Sequence, residues 1–266
     1  MSVDNNPLVA LPPQEIPLPD TPLVRVIAQV RFPIIVSIDK SEFIASFQEE
    51  LRDTYPVLRP EKKQGLVVGP QGVASAQSEM VWRFNDVEGK WRVSLAPNFI
   101  ALETTSYSSR HEFLERLQVA LRALSEHIGP RIVDRLGLRY IDRMSGQAVA
   151  DIAKLVRSEV IGVFATPMAA YAQQSLSESL FVVPDTGAQL LARWGQIPPN
   201  STVDPAAIEP VDTQSWILDL DMFSVESRPF NVEELMIEAR TYAERIYTLF
   251  RWAVTDEFLR QYGGKI

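Results

Sequence analysis

Asp219 and Asp221 stand two apart in an alternating stretch, so on a strand both carboxylates point the same way. With Glu103 they have the chemistry to hold a divalent cation, which takes carboxylate oxygens; that would serve a carboxylate–metal hydrolase. The simpler reading is that they answer neighbouring arginines. His111 and His127 are the only histidines, and there is no cysteine. That removes thiolate metal sites, disulfides and Cys nucleophiles together. Each histidine falls near a helix end with no second ligand close in sequence, so both read as surface residues. Gly65, Gly69 and Gly72 lack the Lys-Ser/Thr and the strand-to-helix context of a phosphate loop, and there is no Gly-x-Ser-x-Gly elbow. Trp82, Trp91 and Trp194 fall on apolar strand faces and read as core. No catalytic residue, metal ligand or cofactor site is assigned.

The elements that must position these groups follow from periodicity. Val24, Val26, Ala28, Val30 and Phe32 alternate in a strand closed by Pro33. Asp39 with Glu42 reads as a capping box for a helix with Phe43, Phe47 and Leu51 on one side. Residues 57–76 read as loop, with room for a short strand at 66–68. Three strands follow, alternating at Met80, Trp82 and Phe84, at Trp91, Val93 and Leu95, and at Ile100, Leu102 and Thr104. Ser109 and Glu112 cap a helix that Gly129-Pro130 ends.

The pattern then repeats: a strand at 132–144, a helix at 149–160, and strands at 172–183, 187–196 and 215–225. A long helix capped by Asn231 and a short one from Thr255 complete it. The expected fold is therefore α+β. Two strand–helix–three-strand–helix pseudo-repeats would form one curved antiparallel sheet with helices on one face. The saddle-like layout of the TATA-box-binding-protein fold is an analogy of plan alone. The expected divisions are a Pro-rich extended arm at 1–22, a first repeat at 23–130, and a second at 131–266 containing an acidic Pro-rich loop at 197–214.

With helices on one face, the other face carries Arg25 and Arg31, Arg83, Arg92, Glu103, Arg135, Arg139 and Arg143, Arg193, and Asp219 and Asp221. That is arginine without lysine. A planar fork suits carboxylates, phosphates and stacking, and arginine is enriched at interfaces where lysine is depleted. Cross-strand Arg–carboxylate pairing on a solvated face accounts for the pattern, as does a surface for an acidic protein or a nucleic acid.

The 266 residues are 46% hydrophobic and 23% charged, with 12 Phe, 5 Trp and 7 Tyr, which describes a folded chain with a sizeable core. No run approaches about 18 uncharged apolar residues, so no membrane span is expected. An acidic, Pro-rich start without a basic region argues against a signal peptide, and a cytoplasmic protein is expected. The net charge of −8 is unevenly placed: residues 1–22 carry Asp4, Glu15 and Asp20 without a base, and 197–214 carry Asp204, Glu209 and Asp212 likewise. The folded remainder is close to neutral. In the arm, Leu8, Val9, Leu11, Ile16 and Leu18 predict extended packing on this chain's own surface or on a second copy's, the latter making a homodimer.

Several segments resemble a sporadically distributed bacterial family of unknown function. They are Pro22-Leu23-Val24 through Gln29-Val30-Arg31-Phe32-Pro33, Phe99-Ile100-Ala101-Leu102-Glu103-Thr104-Thr105 with Tyr107, and Leu136-Gly137-Leu138-Arg139-Tyr140-Ile141. Ile217-Leu218-Asp219-Leu220-Asp221 and Val254-Thr255-Asp256-Glu257 are similar too. Where such families sometimes have Asn, this chain has Asp142. The resemblance implies bacterial origin and the patchy inheritance of mobile or defence-linked genes, and supplies no activity. The expected function is a non-enzymatic binding or assembly subunit of a bacterial system, of the anti-phage or toxin–antitoxin kind, gripping a partner protein through the arginine face. The alternative is an RNA- or DNA-binding module using the same face.

Overall fold

The alternating stretch after the arm becomes β1 (Leu23–Arg31) in the computed structural model, which describes residues 6–64, 67–69, 72–74, 78–184 and 186–265. Next come α1 (Ser41–Leu51), β2 (Val57–Gln64), a hairpin of β3 (Val67–Gly69) and β4 (Gly72–Ala74), β5 (Ser78–Asn85), β6 (Trp91–Ala96), β7 (Phe99–Thr104) and α2 (Arg110–His127). They are followed by β8 (Ile132–Val133), β9 (Arg135–Ser145) and three single-turn helices, α3 (Gln147–Ala150), α4 (Ile152–Leu155) and α5 (Ser158–Ile161). The chain ends with β10 (Ser175–Val182), β11 (Gln189–Ile197), β12 (Ser215–Phe223), β13 (Arg228–Pro229), α6 (Val232–Ala253) and α7 (Asp256–Gln261). Nine strands form a large antiparallel sheet in the order β10-β11-β12-β9-β1-β7-β6-β5-β2. The fold is α+β.

Three local expectations need correction. Residues 57–64 are not loop: they form β2, in register with β5 from Val57↔Asn85 to Gln64↔Ser78. Pro60, Glu61, Lys62 and Lys63 hid it, and they suit a strand at the sheet's edge, where proline and charge deter further pairing. Leu66, the first residue of the short strand expected at 66–68, lies outside the described residues. Asp39 does not cap α1, whose N-cap position is Lys40 without a side-chain bond; the Asp39 carboxylate accepts from the Met80 amide at 3.2 Å instead. The helix expected at 149–160 is broken. Asp151 ends α3 and Val156 adopts extended backbone, bridging Val254.

Two compact units divide the described chain. The first comprises residues 6–26, 138–224 and 239–265. Leu190, Ala192, Trp216, Leu218, Leu220 and Met222 form its buried strand face, and Tyr242, Ala243, Ile246, Leu249 and Phe258 its buried helical side. The second comprises residues 27–137 and 225–238. There α1 packs on α2, Phe47 meets Phe84 edge-on at 5.5 Å, and the Trp82 indole donates to the Ile38 carbonyl at 2.7 Å. Ser109 caps α2 by accepting from the Glu112 amide.

In the first unit the described part of the arm lies along α6. One Arg245 nitrogen donates to the carbonyls of Pro7 and Ala10, both at 2.8 Å, and the Tyr247 hydroxyl accepts from the Ile16 amide at 2.8 Å. A Cβ on Gly264 would stand within 3.0 Å of Leu18 and Ile16, so the chain end and the arm are in close packing. Deleting residues 1–20 removes these bonds, each worth about 1 kcal/mol net. The melting temperature is expected to fall by roughly 4 °C or more; an unchanged value in scanning calorimetry would mean that the arm contributes no packing.

Candidate functional site

The charged residues of the first unit are set by strand register. β11 and β12 place Arg193 opposite Asp219, and β10 and β11 place Glu178 opposite Arg193. Opposed residues share a face, so these three form a row across three strands. Arg139, on the neighbouring β9, extends it. Its Nε donates to Asp219 Oδ1 at 2.7 Å and its Nη2 to Oδ2 at 2.8 Å, a bidentate fork. Arg193 Nη1 approaches Asp219 Oδ2 at 3.4 Å while its Nε donates to Glu178 Oε2 at 2.7 Å. Asp219 is only 2% exposed. A carboxylate so buried is tolerated because charged donors surround it.

The acidic loop lies over this row. The Ser201↔Val211 bridge closes it, with Asn200 in the left-handed region at φ 58°, a conformation asparagine adopts more readily than most residues. Arg139 Nη1 donates to Asp204 Oδ2 at 2.7 Å, Arg25 Nε to the Ala207 carbonyl at 2.9 Å, and Arg143 Nη2 to the Glu209 carbonyl at 2.6 Å. Ala207 and Ile208 are buried. The face expected to stand open is thus covered here, because three of its own arginines hold the loop down. Burial works against the charge of Arg139, but Asp219 and then Asp204 outweigh it and raise the guanidinium pKa above its ordinary value. Burial likewise opposes the charge of Asp204, and the bonds from Arg139 and the Ala206 amide, with the charges of Arg139 and Arg193, together outweigh it, holding this carboxyl below its usual value. For Arg143, burial lowers the pKa.

Asp221 lies two residues on from Asp219, half-buried, opposite Leu191. In the second unit, Arg92 stands opposite Glu103 and bonds to it, and Arg83 reaches Glu61 diagonally at 2.7 Å. Arg135 folds back over Gly137: a Cβ there would meet its guanidinium at 2.4 Å. Arg31 is exposed. Of the predicted residues, Arg139, Arg193 and Asp219 are brought together, as are Arg92 and Glu103. Asp219 gives both oxygens and Glu103 its Oε1 to guanidinium groups, and among the described residues no group of three or more His, Cys, Asp or Glu is placed to hold a metal ion.

Sequence reasoning missed Asp204 and Glu178 as partners in the row. The signal was present for Asp204, since a loop with acid and no base complements a face with arginine and no lysine. The burial of Asp142, named above only as a departure from the resemblance, was also missed. This residue lies on the strand face opposite Arg139 and is 5% exposed. Burial, and secondarily the charge of Asp219, push its carboxyl up to about 7.

In comparisons with known proteins, no family model and no curated protein matches the chain.

Removing Arg139 alone strands the buried Asp219. Arg139→Ala is expected to cost about 3–5 kcal/mol, and the double variant Arg139→Met with Asp219→Leu far less. Equal losses in urea unfolding would contradict this. For Asp142, the folded pKa of about 7 exceeds the ordinary 3.8. The folded state then holds more protons between those values, so stability falls as pH rises through that window and levels off above it. Asp142→Asn is expected to raise the melting temperature at pH 8 by more than at pH 5; a gap independent of pH would contradict the burial.

Proposed function

We propose that this chain is a non-enzymatic binding or assembly subunit whose ligand is another protein, taken on the β10 margin of the first unit's charged sheet face, beside the part that the acidic loop covers. The observation that carries the reading is the neutralisation of the row. Arg139 and Arg193 face three carboxylates, Asp219, Asp204 and Glu178, so they hold little unspent charge for phosphates. Beside them on the same face, β10 offers Leu176, Leu180 and Val182, at 40%, 57% and 63% exposure. Apolar side chains next to arginine are the composition of a protein interface. A bacterial system of the anti-phage or toxin–antitoxin kind is the setting that the segment resemblance supplies.

The duplication belongs to the same proposal. In the sheet, β1-β7-β6-β5 runs one way and β9-β12-β11-β10 the other, and a long helix follows the last strand of each set. This order supports two pseudo-repeats sharing one curved sheet with helices on one face.

Nucleic-acid binding is the outcome to test against. Fluorescence anisotropy with a single-stranded RNA and a DNA duplex, from about 50 to 200 mM salt, is expected to show no saturable binding. Tight binding with a steep salt slope would overturn the reading. On the positive side, crosslinking in the source cell is expected to trap a protein other than a second copy of this chain, and to lose it with Leu180→Asp; trapping a second copy alone would contradict the reading.

A further inference from the structure

The two edges of the nine-stranded sheet are built differently. β2 carries Arg59, Pro60, Glu61, Lys62 and Lys63, residues that deter another strand from adding on. β10 reads Ser-Leu-Ser-Glu-Ser-Leu-Phe-Val, with one charge and no proline over eight residues. No backbone hydrogen bond from a described residue reaches its outer edge. Which groups point outward follows from the hairpin end. The Val183 amide donates to the Ala188 carbonyl at 2.8 Å, in the register that continues as Phe181↔Leu190 and Ser179↔Ala192. Inward and outward residues alternate in an antiparallel ladder. The N–H and C=O groups of Leu176, Glu178, Leu180 and Val182 therefore face the free edge.

We propose that this edge pairs with β10 of a second copy, antiparallel and centred on Ser179. The centring is fixed by self-complementarity. About Ser179, Leu176 opposes Val182 of the second copy and Glu178 opposes its Leu180, so every outward N–H and C=O of these residues finds a mate. A register centred on Glu178 would set the two Glu178 carboxylates against each other, which is unfavourable. One centred on Leu180 would leave the outward groups of Leu176 unmated. The two-fold axis makes the contact isologous and closed. It uses the backbone edge, rests on no part of the partner-protein reading, and sets the two apolar strips side by side.

The chain's lack of cysteine gives a register-specific test. At the centre, Ser179 faces Ser179 of the second copy in a non-hydrogen-bonded position, where side chains approach closely enough for a disulfide. Ser179→Cys is expected to form a disulfide-linked dimer under mild oxidation, and Ser177→Cys, facing Phe181, is not. An edge-to-edge contact is small, so light scattering is run at about 100 μM, where the unmodified chain is expected at twice its 29.9 kDa mass. Leu180→Pro removes one outward N–H while sparing the β10–β11 bonds, a change an edge strand tolerates, and is expected to return the chain to 29.9 kDa with its circular dichroism unchanged. If Leu180→Pro does not fold, the cysteine pair decides. A monomer at 100 μM, which would leave the edge to another protein's strand, overturns the proposal. So does a dimer in which Ser179→Cys fails to crosslink, or one in which both cysteines crosslink equally.

Discussion

The bidentate grip of Arg139 on Asp219 is the contact on which the first unit's charged face depends. It joins β9 to β12, gives a nearly inaccessible carboxylate its counter-charge, and leaves one guanidinium nitrogen to reach Asp204. Through that nitrogen the sheet takes hold of a loop that has acid and no base of its own. Without Arg139, Asp219 would keep the longer contact to Arg193, and the loop would lose the bond that holds its Asp204 carboxylate. Arg25 and Arg143 hold the loop by carbonyls, bonds that carry position but little charge. The strength of the fork in low dielectric explains why a row of arginines stands on a sheet without making it basic.

What a single chain reveals about such a face depends on the range of the interaction. Alternation placed Arg139, Arg193 and Asp219 on one side of their strands, because side-chain direction is a local property with a period of two. Their meeting was set by strand order and register, which join positions 80 residues apart. The loop's role was legible only as a charge imbalance, and its docking required the sheet to exist first. β2 was hidden by the same residues that suit it to an edge, since Pro60 and the lysines read as loop where no neighbouring strand is known. The broken helix after β9 was misjudged because apolar spacing there serves three separate turns, each too short to be set by periodicity.

Asp142 shows the other side of the same economy of charge. It lies three residues from Arg139 on β9 but on the opposite face, so the fork that satisfies Asp219 cannot reach it. Buried, and within the field of Asp219, it is driven toward the protonated state. One strand thus carries a carboxylate-bound arginine and, three residues on, a buried carboxyl on its other face.

The central claim is that the acidic loop is fixed to the sheet by the arginine row, so the face is neutral in the native state. Hydrogen exchange of the loop amides tests it most directly. The amides of Ala207 and Ile208 bond to the Asp204 carbonyl, and that of Ala206 to the Asp204 side chain. They are predicted to exchange well below coil rates in the wild-type protein, and to speed up when Asp204→Ala removes the anchor. Exchange at coil rates in the unaltered chain would contradict the account, for the loop would then be free and the arginines beneath it open to solvent.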